Sequence, residues 1–319
     1  MAQLNPGLIG LDWGTSSLRA YLLGENGRVL AEKTQPWGVM SEPGGDFGAA
    51  YHAAVAHWRT ADQELPALAS GMIGSTEGWV RAAYRPCPAG APELAAALAP
   101  IATNGDGTLW VVPGVEQRGR APNVMRGEET QVVGALTLRP ELRRAATLVL
   151  PGTHSKWVDV RAGRIVGFAT YMTGELFGVL SEHSILGRPA RGAAPELGQT
   201  GPPAWDAFDR GVSLAQESGS PGIAQLLFLT RSLVLHGALR AEDSLDFLSG
   251  LLIGDELRCA GAAAAQQLVL VGEPALCERY RRGLAAGGVD APILEGAAPA
   301  GLWRIAGEAG LVATPFSYV

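Results

Sequence analysis

Two stretches of this chain follow one plan. Leu8–Leu11 is an apolar run that enters the turn Asp12-Trp13-Gly14-Thr15-Ser16-Ser17 and leaves as an alternating run through Leu18, Ala20 and Leu22. Thr147–Leu150 is again an apolar run. It enters Pro151-Gly152-Thr153-His154-Ser155 and leaves through Lys156-Trp157-Val158-Asp159-Val160. Both read as strand, polar turn, strand, with Gly-Thr-x-Ser at the tip. Behind each lies a second glycine turn, Gly24-Glu25-Asn26-Gly27 in one case and Arg161-Ala162-Gly163-Arg164 in the other. Asn-Gly is a strong hairpin signal, because a tight two-residue turn needs positive φ at both central positions. The first copy continues into a third strand through Val29, Ala31 and Lys33. A repeat of this length predicts two halves of like build, divided here as 1–144 and 145–319.

The first tip carries the residue types an anion site needs. Gly14 lets backbone approach a ligand closely, while Thr15, Ser16 and Ser17 offer hydroxyl and N–H donors. Asp12 can hold a metal through water. The same residues also suit an ordinary surface hairpin with a Ser/Thr turn, and this stretch alone leaves both readings open.

Composition narrows the partners. Of 319 residues, 47% are hydrophobic and 18% charged, ample for one large or two ordinary globular domains. The net charge of −6 with no basic block argues against nucleic acid or an anionic membrane surface. Cys87, Cys259 and Cys277 are widely spaced and form no Cys-x-x-Cys, which predicts neither a disulfide framework nor a zinc site and suits a reducing cytoplasm. No basic segment followed by an apolar core opens the chain, and no apolar run is long enough to span a membrane. The sequence leaves the oligomeric state open, a homodimer included.

Between the repeats, Phe47, Tyr51, Val55 and Trp58 are spaced for one helical face. Pro66–Ser75 reads as a buried strand ending in a Gly/Ser loop, and Glu93–Leu98 as a short helix. Thr108–Val115 reads as one strand closed by Pro-Gly. Asn123–Leu136 reads as a loop entering a helix, with Glu128 and Glu129 in the first turn, where carboxylates are favoured by exposed backbone N–H groups. That pair is either a helix-start feature or a base or metal carboxylate. After the second repeat, helical spacing covers Thr173–Leu180, Asp206–Leu214, Ile223–Leu235 and Ser244–Cys259. The Gly/Pro/Ala-rich residues 188–203 read as an exposed connection. Gln267–Gly272 reads as a buried strand, followed by a helix from Ala275 to Ala285, a short strand over Ala291–Leu294 and a closing helix over Gly301–Leu311.

Two α/β halves that each open on a Gly-Thr-x-Ser hairpin, with a strand ending at Gly272-Glu273 late in the second, resemble the sugar kinase, actin and heat-shock chaperone ATPase superfamily. Asp12–Arg19, Ser70–Ser75, Met125–Gln131, Leu150–Trp157 and Leu248–Leu257 together resemble the 2-dehydro-3-deoxygalactonokinase family. The resemblance implies an α/β, two-domain actin-like ATPase (ribonuclease H-like) fold with an interdomain nucleotide cleft. It implies transfer of the γ-phosphoryl of ATP to the terminal (6-) hydroxyl of 2-dehydro-3-deoxy-D-galactonate in galactonate catabolism, with Mg²⁺ as cofactor. Gly14, Thr15, Ser16, Ser17 and Arg19 on one tip, and Gly152, Thr153, His154, Ser155 and Lys156 on the other, would then take the phosphates. Gly272 and Glu273 would lie against adenosine, and Asp12 would hold Mg²⁺ through water. In glycerol- and xylulose-type kinases a Gly-Asp segment before the second hairpin supplies the base. Gly127-Glu128 stands at the matching place, so the resemblance makes Glu128 the base, with Glu129 second. Trp13, Gly71, Met72, Ile73, Gly74, Ser75, Trp79 and Arg126 become candidates for the sugar acid. Arg126 either pairs with its carboxylate in a bidentate manner or braces Glu128.

Two rivals share this fold: a kinase for another 2-keto-3-deoxy sugar acid such as 2-keto-3-deoxygluconate, and a non-catalytic nucleotide-dependent switch. A hydrolase reading of His154-Ser155 fails, since adjacent residues of an extended turn point apart and no Gly-x-Ser-x-Gly elbow occurs. No Gly-x-x-x-x-Gly-Lys-[Ser/Thr] loop is present either.

Overall fold

The computed structural model describes residues 5–41, 45–59, 65–103, 105, 107–193, 203–217, 222–262 and 267–313. Strands among them are β1 (Pro6–Trp13), β2 (Leu18–Gly24), β3 (Val29–Gln35), β4 (Ala67–Gly71), β5 (Tyr84–Pro86), β6 (Ala99–Ala102), β7 (Thr108–Val111), β8 (Gly114–Gln117), β9 (Asn123–Met125), β10 (Ala145–Leu150), β11 (Ser155–Arg161), β12 (Arg164–Tyr171), β13 (Leu268–Val271) and β14 (Ile293–Leu294). Helices are α1 (Phe47–Val55), α2 (Ala91–Ala95), α3 (Glu128–Leu138), α4 (Thr173–His183), α5 (Arg188–Ala193), α6 (Trp205–Gln216), α7 (Ile223–Leu226), α8 (Leu229–Leu235), α9 (Ser244–Cys259), α10 (Pro274–Ala286) and α11 (Ala297–Glu308).

The repeat seen in the sequence is a repeat of topology. One sheet runs β3-β2-β1-β4-β7-β6 and another runs β12-β11-β10-β13-β14. In the first, β1, β2 and β3 form an antiparallel meander, and β4 and β7 join parallel to β1. In the second, β13 lies parallel to β10 and β14 parallel to β13. The turn after β2 takes the predicted form, with Asn26 at φ 65° and Gly27 at φ 74°. Each tip therefore stands at the carboxyl end of a sheet's central strand, where open α/β sheets bind ligands.

Contacts divide the chain into two compact units. One holds Met1–Ala145, Val158–Phe168 and Gly296–Val319, the other Ala146–Trp157 and Ala169–Glu295. The chain therefore crosses between units several times, whereas the sequence reading divides it once. The closing segment returns to the first unit because α11 packs on β1 and α3. A Cβ on Gly10 would touch Leu302 at 3.1 Å, and Gly134 of α3 and Gly301 of α11 face each other's helix backbone. A Cβ on Gly134 would run into the Ala297 carbonyl. Gly134→Ala is expected to destabilise the protein by about 2–4 kcal/mol, since closely packed backbones must separate. A urea melt checks this, and an unchanged midpoint would show that α3 and α11 do not pack this closely.

On the other face of the first sheet, Ile9, Leu11, Trp13, Leu18 and Ala20 form a core with Tyr51, Ala54 and Val55 of α1. In the second unit Val149, Leu268 and Leu270 pack with Phe208, Val212, Ile253 and Tyr280 from α6, α9 and α10.

Several expectations change. Thr108–Val115 is two strands, because Val112-Pro113 interrupts the ladder and β8 leaves for a small sheet, β5-β8-β9. Pro113 has no N–H to give a central strand. The short strands β5, β6 and β9 carry no alternation that four residues could display. Ile223–Leu235 is two helices broken at Leu227-Phe228. Within the expected connection 188–203, residues 188–193 form α5, and 194–202 lie outside the described residues.

Candidate active site

The first tip is held from behind by residues 37–41. Val39 N donates to the Gly14 carbonyl at 3.0 Å, Met40 N to that of Thr15 at 3.1 Å, and Ser41 Oγ to that of Ser16 at 3.2 Å. The tip's carbonyls thus turn towards protein. Thr15 and Ser16 are exposed, and their amides meet no acceptor among the described residues. The second tip repeats this polarity. Glu175 N donates to the Thr153 carbonyl at 2.9 Å and Lys156 Nζ to the His154 carbonyl at 2.8 Å. The amides of Gly152, Thr153 and His154 meet no acceptor among the described residues, and the space before Gly152 is open. Carbonyls bonded to protein, with amides that meet no acceptor among the described residues, suit a backbone anion site. Of these amides, that of Ser16 lies against the Gly38 backbone.

Period two on the strands decides which tip side chains can help. Asp12, the last residue but one of β1, lies opposite Arg19 of β2 and beside Ser70 of β4. Trp13, next in sequence, faces the other way: it is fully buried, stands 5.9 Å edge-on to Phe47 and donates Nε1–H to the Trp37 carbonyl. Its side chain belongs to the core, contrary to the expectation of a substrate contact. Ile73 is likewise fully buried in that core. Ser155 is fully buried and its hydroxyl donates to Glu256 at 2.7 Å, so this side chain serves the interior instead of a phosphate. Lys156 is also buried, its ammonium held by the His154 carbonyl. Thr153 and His154 are the exposed side chains of that tip, and His154 pairs with Glu175 of α4.

The carboxylates gather at the start of α3. Gly127 has φ 108°, a conformation that favours glycine, and packs on Gly71 at the end of β4. This brings Glu128, the first residue of α3, into the electrostatic range of Asp12. The Asp12 carboxyl is pushed up from 3.8 to about 6, mainly by burial, with Arg19 opposing the shift and Glu128 adding to it. Glu128 is partly exposed, and its Oε2 accepts from Arg126 N at 3.0 Å. Glu129 is fully buried and both its oxygens accept from Gly127 N, at 2.8 and 3.0 Å. That geometry makes it a brace for the Gly127 turn, so of the two glutamates only Glu128 faces outward.

Burial, with the Glu128 charge as second cause, pushes the Glu129 carboxyl up from 4.5 to about 8. A raised folded-state value means that its stabilising contribution is complete below pH 4.5 and is lost as pH rises through 8. Glu129→Gln keeps an oxygen for Gly127 N and removes the titration. It is expected to stabilise the protein at pH 8 by on the order of 1–3 kcal/mol and to flatten the fall in melting temperature between pH 5 and pH 8. An unchanged pH profile in this variant would refute the assignment.

Arg126 sits one residue before that turn. Its Nη2 donates to the Ala82 carbonyl at 2.8 Å and its guanidinium lies 4.3 Å from the Tyr84 ring centroid. Nε and Nη1 are buried with no hydrogen-bond partner among the described residues, and Nη1 lies close to Gly74. The arginine thus braces the segment after β4. Gly71, Met72, Gly74 and Ser75 line the turn beside it. Trp79 packs its ring 6.2 Å from Tyr51 and remains partly exposed.

In the second unit a cavity of about 150 Å³ opens between α4, α9 and α10, reaching Gly152. Phe177, Leu252, Ile253 and Leu276 give it apolar walls, and Ser249 and Arg279 give it polar ones. Arg279 pairs with Asp246 through Nη2, while its Nη1 is buried with no hydrogen-bond partner among the described residues. Gly272 directly follows β13 at φ 149° beside Pro151, but the Glu273 carboxylate caps α10 by accepting from Ala275 N and Leu276 N. The helix faces that line the cavity looked like ordinary core periodicity in the sequence.

Among the described residues no three or more His, Cys, Asp or Glu come together as a metal cage. A divalent cation that keeps most of its water is a different case. Asp12, with a carboxylate raised by burial and by a second carboxylate, fits such an ion, which removes the unfavourable charge. No helix among the described residues is long and apolar enough to cross a membrane.

A family model described as 2-keto-3-deoxy-galactonokinase matches residues 12–305. A protein of Rhizobium meliloti (strain 1021), assigned as a 2-dehydro-3-deoxygalactonokinase, is 37% identical over 286 residues, 88% of this chain and 89% of that one. The 2-dehydro-3-deoxygalactonokinase of Escherichia coli (strain K12) is 34% identical over 291 residues, 90% of this chain and 92% of that one. A crystal structure from Sinorhizobium meliloti assigned to the same activity has a TM-score of 0.83 at 35% identity and covers 94% of this chain and 98% of that one. The doubled meander-and-crossover topology is that of the two-domain actin-like ATPases. With matches of this extent, the chain belongs to the 2-keto-3-deoxy-galactonokinase family.

Proposed function

We propose that the protein transfers the γ-phosphoryl group of ATP to the terminal (6-) hydroxyl of 2-dehydro-3-deoxy-D-galactonate, giving the 6-phosphate and ADP. The observation that carries this is the shared polarity of the two tips: carbonyls bonded to protein, and amides of Thr15, Gly152, Thr153 and His154 that meet no acceptor among the described residues. Phosphoryl transfer needs positioning and charge neutralisation more than covalent chemistry, and such loops supply both.

Each residue then has a task. Asp12 would hold Mg²⁺, which when bound would supply charge neutralisation on the phosphates. Glu128, the partly exposed carboxylate of the α3 start, takes the proton of the acceptor hydroxyl. Arg19, across the strand from Asp12, adds positive charge. The apolar cavity beside Gly152 takes the adenine ring against Phe177 and Leu252. Arg126, Gly71, Met72, Gly74 and Ser75 receive the sugar acid, with the Arg126 guanidinium on its carboxylate once the loop after β4 shifts.

A coupled ADP-release assay over a panel of 2-keto-3-deoxy sugar acids with Mg-ATP tests the proposal. The galacto acid is expected to give the highest kcat/KM. A preference for 2-keto-3-deoxygluconate would reassign the substrate, and no stimulation by any of them would reject the kinase reading.

A further inference from the structure

One carboxylate in the second unit is bonded more densely than any task so far given to it explains. Glu256 of α9 is 2% exposed. Its Oε1 accepts from Ser155 Oγ at 2.7 Å and from Trp157 Nε1 at 2.8 Å. Its Oε2 accepts from Tyr280 OH at 2.6 Å and from Thr173 Oγ1. The donors come from three elements: β11 directly after the second tip, the first residue of α4, and α10.

Those elements converge on the tip. The first turn of α4 lies on it, since a Cβ on Gly174 would collide with the Gly152 carbonyl and Glu175 N donates to the Thr153 carbonyl at 2.9 Å. β11 fixes the tip's other end. Glu256 stands four and eight residues after Leu252 and Leu248, on the buried face of α9, where an apolar side chain would serve stability alone at least as well. What an apolar side chain lacks is four acceptor positions set at fixed angles.

We propose that Glu256 is a positioning residue for the nucleotide phosphates: through Ser155 and Thr173 it fixes both sides of the Gly152–His154 tip, so that the tip's amides point outward before ligand arrives. This rests on the reading of that tip as a phosphate site. A loosened tip would misplace its donors, and a shift of about 1 Å in such a group can cost about 100-fold.

The test compares Glu256→Ala, Glu256→Gln and Thr173→Val with the native protein, using steady-state kinetics in each substrate and amide hydrogen exchange at Glu175. Glu256→Ala is expected to lower kcat/KM for ATP by about 100-fold and to leave the sugar-acid KM within about twofold. Exchange at Glu175 should quicken about tenfold or more, while β1 and β4 amides stay as they are. Glu256→Gln keeps Oε1 for Ser155 and Trp157 and turns its amide to two hydroxyls that can accept, so the ATP value should return to within about tenfold of native. Thr173→Val removes one arm only, keeps the protein folded if Glu256→Ala does not, and should raise the KM for ATP. An unchanged kcat/KM for ATP, or a sugar-acid KM raised as much as that for ATP, would overturn the proposal. A native protein that releases no ADP rejects the kinase reading instead, and the exchange arm still decides the positioning claim: unchanged exchange at Glu175 overturns it.

Discussion

Glu128→Gln is expected to lower kcat by about 10²- to 10⁴-fold, the range for loss of a positioned base, while the KM for ATP stays within about twofold. The substitution keeps the size of the side chain and one oxygen for Arg126 N, so the start of α3 is preserved. What disappears is the capacity to take a proton. A change confined to kcat is the signature of an interaction made only in the transition state. Glu129 cannot take over, because it is fully buried and holds Gly127 N with both oxygens. Near-normal turnover of Glu128→Gln would therefore move the base to Asp12, whose carboxyl at about 6 lies near the operating pH.

Most of the architecture was legible because it rests on local rules. Asn26-Gly27 announced its turn through the φ values it adopts, and the two Gly-Thr-x-Ser tips announced a doubled topology before any strand order was known. Side-chain direction was less legible. Alternation along β1 already implied that Asp12 and Trp13 face opposite ways, so a reading that put both in the site used residue chemistry where period two should have ruled. Ser155 is different in kind: nothing near it in sequence says that its hydroxyl turns inward, since the acceptor lies 101 residues on, in α9. Glu256 did leave a trace, a carboxylate on the apolar stripe of Leu248 and Leu252, which is the pattern of a buried polar group with several partners. The break between β7 and β8 was signalled by Pro113, which a run of apolar residues around it obscured.

Asp12→Asn is expected to abolish turnover to about one part in 10³ or less and at the same time to stabilise the free protein at pH 8. The two effects have one cause. Burial, the Glu128 charge and the opposing Arg19 leave the Asp12 carboxyl at about 6 against 3.8, so its ionised form is held in an unfavourable place. With a raised folded-state value, its contribution to stability is complete below pH 3.8 and is lost as pH rises through 6. At pH 8 the ionised group weakens the fold by about 3 kcal/mol at most, less whatever solvent screens. Asparagine removes that penalty, and with it the charge that would hold a divalent cation, whose neutralisation of developing phosphate charge is worth several kcal/mol of barrier, or about 10³-fold and more. Thermal melts at pH 8 with and without Mg²⁺ separate this from a structural role. Mg²⁺ should raise the melting temperature of the native protein and leave that of Asp12→Asn unchanged if Asp12 holds the ion as proposed, because ligand bound only to the folded state raises the melting temperature. A variant that melts lower than the native protein, responds to Mg²⁺ as the native protein does and still turns over would show Asp12 to be a structural carboxylate, its raised value the result of packing alone.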